Sequence, residues 1–87
     1  MLRLKCHSHK ISEFSEIDRM LLVPKKVSDE FEVGEGEYIL GGQKLQLRIY
    51  DIPCNCSKTM HTHRIIDLRE IWDKLRLTDG QELEIER

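Results

Sequence analysis

Residues 54–63 read C-N-C-S-K-T-M-H-T-H, two thiols and two imidazoles within ten positions. Cys54 and Cys56 stand two apart, and so do His61 and His63. In extended chain, side chains at i and i+2 project to the same face. Folding the segment back about Lys58 and Thr59 brings Cys56 opposite His61 and Cys54 opposite His63, with facing Cβ atoms about 4.5–5.5 Å apart. Two thiolates and two neutral imidazoles form a tetrahedral zinc set. Bound zinc would add its binding free energy to the folding of a small chain. The same spacing also fits a core strand, with Cys54 and Cys56 as small buried apolar groups and Asn55, Ser57, Thr62 and Arg64 on the polar face. His7 and His9, in C-H-S-H, are either further ligands or bystanders.

Other chemistries have less behind them. Cys–His pairs can act as nucleophiles, but that needs an electropositive niche and a third, orienting group. The sequence holds no Gly-rich phosphate loop with Lys-Ser/Thr and no Ser elbow. Catalysis is therefore not the expectation. Three cysteines make a poor disulfide framework, so reduced thiols and a cytoplasmic setting are expected. Residues 1–5 have no apolar core or cleavage site, and the longest apolar run, residues 20–24, is far short of a membrane span. Neither a signal peptide nor a membrane partner is expected.

The elements that must position these side chains follow from alternation. Leu2, Leu4 and Cys6 alternate with Arg3, Lys5 and His7, and Leu45, Leu47 and Ile49 alternate likewise, as half-buried strands. Residues 20–23 and 64–66 read as short second strands, and 37–40 and 82–85 as third strands. Pro24 opens a short helix whose apolar face is Val27 and Phe31. Asp67 caps a second helix, with Glu70 as reciprocal cap and Ile71 and Leu75 as its apolar face. Gly36 and Gly80 are expected in the turns that follow.

These elements repeat. Residues 22–39 set over 66–83, a shift of 44, match without a gap, including Leu22 with Ile66, Phe31 with Leu75 and Gly36 with Gly80. The first strands match at a shift of 43. Charge follows the same rhythm: residues 1–26 carry six Lys/Arg against three acids, and 27–47 one Lys against five acids. Residues 48–76 then carry six against four, and 77–87 one against four. One domain, 1–87, built from an internal repeat of 1–43 and 44–87, is the expectation. With 87 residues, 39% hydrophobic, the core is marginal and closure into a barrel would remove its open edges. The fold class expected is mainly β with two short helices, a six-stranded pseudo-twofold barrel. A strand-exchanged homodimer is the alternative to a monomer.

The first copy, L-L-V-P-K-K-V-S-D-E-F-E-V-G-E-G-E-Y-I, resembles the swapped-hairpin domain of AbrB/SpoVT and MazE-type proteins. That motif is an apolar strand, Pro-Lys, a short amphipathic helix, then Gly-Asp and an apolar strand. The wider cradle-loop group, with double-psi and RIFT-like barrels, is similar too, and the second copy is similar to the C-terminal part of archaeal riboflavin kinases. Leu68 stands where the Pro would be, and Gly-Glu and Gly-Gln replace Gly-Asp. No segment supplies the kinase's substrate sites. The AbrB-like resemblance implies DNA binding or transcriptional regulation through basic residues at the second strand and helix start. Those positions are Arg19, Lys25, Lys26, Arg64 and Arg69. A basic face of this kind could hold phosphates despite a net charge of −2. The rival is a zinc-stabilised, non-catalytic module that recruits a protein partner. A small-ligand pocket between the connecting segments has no motif behind it.

Overall fold

The structure is a computed structural model that describes residues 2–11, 15–54 and 61–86. Six antiparallel strands form a closed barrel: β1 (Leu2–His7), β2 (Met20–Val23), β3 (Gly34–Leu40), β4 (Gln43–Cys54), β5 (His61–Asp67) and β6 (Glu82–Glu86). Their order around the barrel is β1-β2-β5-β4-β3-β6. Exchanging β1 with β4, β2 with β5 and β3 with β6 leaves that circular order unchanged. The buried pattern aligns the second strands at a shift of 45, one more than the sequence match. Met20, Leu21 and Val23 fall over Ile65, Ile66 and Leu68. At the centre Leu21 pairs with Ile66, and both are fully buried.

Closure follows from the strand patterns. Leu4 and Cys6 point inward from β1 and Leu47 and Ile49 from β4, toward a core completed by Val23, Phe31, Tyr38, Leu40, Leu68 and Trp72. The β3–β4 hairpin turns on Gly41 and Gly42, with φ of 57° and 85°. A two-residue turn with φ positive at both positions matches the right-handed strand twist, and only a residue without Cβ adopts it readily.

The helical segments are reduced. Lys25–Glu30 is a six-residue 3₁₀ helix entered from Pro24. Residues 69–76 form a run of turns rather than a second helix. The Asp67 carboxylate accepts the Arg69 N–H at 3.0 Å, but the reciprocal bond to Glu70 does not form among the described residues. The run ends where the Arg76 N–H reaches the Asp73 carbonyl and the Leu77 N–H the Trp72 carbonyl, with Arg76 at φ 52°. This is the six-to-one closure of a helix C-terminus, and it stops the turn from lengthening. Gly36 also departs from expectation. It lies within β3, where an added Cβ would stand 3.0 Å from the Tyr38 ring. Close approach, not a turn, calls for glycine there. Gly80, at φ 83°, does serve a turn.

Strand β4 is long enough to leave the barrel. Its first half pairs with β3 and its second half with β5, through Cys54↔His61. The two halves bury opposite faces: Leu47 and Ile49 belong to the barrel core, whereas Ile52 belongs to a second cluster with Ile17, Met20 and Ile65. Ile11, Leu22 and Tyr50 complete that cluster. Ile11 and Ile17, which lie between β1 and β2 in the chain, pack on the outer face of a two-stranded arm. Principal extents of 39 × 25 × 19 Å reflect the arm's length. No helix among the described residues is long and apolar enough to cross a membrane.

Candidate metal centre

Cys54 ends β4, and His61 and His63 begin β5. The register puts Cys54 opposite His61 and Ile52 opposite His63. The expected pairing was offset by two: it set Cys54 against His63 and Cys56 against His61. Cys56 lies outside the described residues. A two-residue slip keeps every side chain on its own face, so alternation cannot choose between the two registers. The strand interior chooses. In the observed register Ile49 meets Ile66, and Asp51 meets Arg64; the expected one would set the Asp51 carboxylate against Ile66, at the barrel core.

The three side chains come together. One potential ligand atom from each of Cys54, His61 and His63 lies within 4.8 Å of the other two. The Nε2 atoms of His61 and His63 are 3.1 Å apart, and their rings meet edge to face at 4.7 Å between centroids. In a tetrahedral zinc site the nitrogens stand about 3.3 Å apart and nitrogen and sulfur about 3.6 Å. The cluster is thus within roughly an ångström of closing on an ion. Cys54 is buried, and its thiol points to the Ile11 carbonyl at 4.0 Å. The histidines are half-buried. Burial first, and then repulsion from His61, lowers the His63 pKa and favours the neutral imidazole that a metal needs.

An open groove of about 690 Å³ runs beside the cluster, with His61, His63, Thr62, Pro24, Lys25 and Ser28 among the residues of its wall. It exists because β2 stops. Val23 pairs with Arg64, and the next position would bring Pro24 opposite His63. Proline has no N–H to continue the ladder. Pro24 carries a signal for this edge that a reading of it as a helix start alone does not use.

The arm is held by Arg64. Its Nε and Nη2 donate to the two Asp51 oxygens at 2.9 and 3.0 Å, and its Nη1 donates to the carbonyls of Ser28 and Phe31 at 2.9 and 3.2 Å. The Arg64 hydrogen bond holds the Asp51 carboxyl below its usual pKa. Arg69 grips Asp67, and Arg19 pairs with Asp18 at 3.3 Å. Of the five basic candidates for phosphate contact, Lys25 and Lys26 are exposed, and no ion pair among the described residues involves them. The five do not form one uncompensated basic face: each of the three arginines faces an aspartate.

His7 and His9 do not join the cluster. The Asp79 carboxylate accepts the Ser8 N–H at 2.9 Å and lies 3.8 Å from His9 Nδ1. Cys6 is fully buried, and burial, with Asp79 adding to it, pushes its thiol up to about 11. It is an inert core thiol. No protein family, curated protein or solved structure matches the chain.

Proposed function

We propose that this protein is a metal-stapled β-barrel of the cradle-loop kind, a non-catalytic interaction module that holds zinc or a similar ion at Cys54, His61 and His63. The convergence of three ligand atoms within 4.8 Å carries the reading. The ligands lie at the paired ends of β4 and β5, outside both core clusters, where a metal adds to local order. Half-for-half exchange of the strand order supports an origin by internal duplication, as in an AbrB-like hairpin pair joined in one chain.

Nucleic-acid binding has less support. The arginines the resemblance would assign to phosphates are engaged with Asp51, Asp67 and Asp18. Lys25 and Lys26 alone offer a small counterion release.

The test is metal content of untagged protein, with cobalt as a spectroscopic stand-in. One equivalent of metal, a thiolate-to-cobalt charge-transfer band lost in Cys54→Ser, and a melting temperature raised by zinc are expected. Metal content near zero, with melting indifferent to zinc and chelator, would remove the reading.

A further inference from the structure

We infer that the metal at Cys54, His61 and His63 keeps one coordination position open toward the groove beside Pro24 and Lys25, and that this position takes a carboxylate. The inference rests on the metal reading above and adds what the metal binds.

Among the described residues the cluster offers three protein ligands, one fewer than zinc takes when its site is closed; sites with three protein ligands keep the fourth position for water or substrate. The direction of that position follows from burial. Cys54 is 2% exposed and lies under Ile11 on the covered face of the arm. His61 and His63 are half-buried and belong to the groove wall. Protein closes the sulfur side, and the groove opens the imidazole side.

Charge selects the ligand. A thiolate and two neutral imidazoles leave a divalent ion with one net positive charge. Lys25 on the same wall adds a second, and no ion pair among the described residues cancels it. The remaining charged pair, Asp51 and Arg64, neutralises itself. A groove of this sign draws an anion, and a carboxylate oxygen is an ordinary zinc ligand. Room is ample at about 690 Å³. The carboxylate has two sources, a small metabolite or the end or acidic side chain of a peptide. An extended peptide would also lie along the stretch of β5 that Pro24 leaves beyond β2.

The experiment uses the full chain loaded with cobalt at neutral pH. Acetate, N-acetyl-triglycine, its C-terminal amide and acetamide are titrated against the visible d–d bands. The expected result is a saturable band change with acetate and with the free-acid peptide, and none with acetamide or the amide. Tighter binding of the peptide than of acetate assigns the site to a peptide carboxylate; equal binding assigns it to a small molecule. Lys25→Gln should weaken the carboxylate roughly threefold. Tightly bound cobalt whose bands ignore acetate would overturn the inference and leave the metal reading standing. So would a Cys56→Ser variant that gains acetate sensitivity the parent lacks, since Cys56 then fills the position. Failure to bind cobalt at all overturns the metal reading itself.

Discussion

Arg64 separates a structural from a nucleic-acid role. Its guanidinium makes four hydrogen bonds: a fork onto Asp51 and one bond each to the Ser28 and Phe31 carbonyls. The Arg64 and Asp51 side chains are 23% and 36% exposed, so the fork is partly screened and contributes about 0.5–1 kcal/mol. The two carbonyl bonds, with a charged donor at part-buried acceptors, contribute about 1–1.5 kcal/mol together. Arg64→Met keeps most of the stem packing and removes all four bonds, so a loss of about 2 kcal/mol is expected. For a domain of this size that lowers the melting temperature by about 8–16 °C. Phe31 is fully buried and stacks on Tyr38 at 5.8 Å, so the damage should extend from the arm into the barrel core. The assay is calorimetric or circular-dichroism melting of Arg64→Met, Asp51→Asn and the double variant. A coupling of about 0.5–1 kcal/mol between the two positions is expected. A melting temperature unchanged in Arg64→Met, together with weakened binding to random duplex at low salt, would refute the clamp and restore the phosphate role.

Arg76 holds φ at 52°, a region that costs a residue with a Cβ about 1 kcal/mol or more. Arg76→Gly should therefore raise stability by up to about 1 kcal/mol in urea titration, less what glycine's freer unfolded chain takes back. Asp51 and Asp79 both titrate below the ordinary carboxylate value, through Arg64 and through the Ser8 N–H respectively. Their contribution is complete above the unfolded-state pKa of about 4 and is lost as pH falls through the lower folded values. The urea midpoint should drop below about pH 4, and Asp51→Asn should flatten that drop. Iodoacetamide at pH 8 should leave Cys6 unmodified in the native protein and modify it after denaturation, as read by peptide mass; rapid native labelling would contradict its burial.

Much of the barrel is legible in the chain because alternation is local. Leu2, Leu4 and Cys6, or Leu45, Leu47 and Ile49, declare a strand and its inner face without reference to any partner. The ligand types at 54–63 are legible for the same reason, since spacing of two places them on one face wherever the strand goes. The change of phase in β4 is also written there, as Ile49 gives way to Ile52 and Cys54. What covers the new face is not: Ile11 and Ile17 reach it only by returning across the outside of the arm. Register was the other tertiary decision. Cys54 could meet His61 or His63 on the same face, and only the demand that Ile49 meet Ile66 while Asp51 meets Arg64 selects one. Arg64 carries the same lesson. A sequence displays its charge, but the aspartate and two carbonyls that absorb that charge come from β4, the 3₁₀ helix and the residue that caps its end, brought together by the barrel. Composition and local period determined which side chains could bind; long-range pairing determined which of them meet, because burial and charge compensation are properties of partners, not of residues.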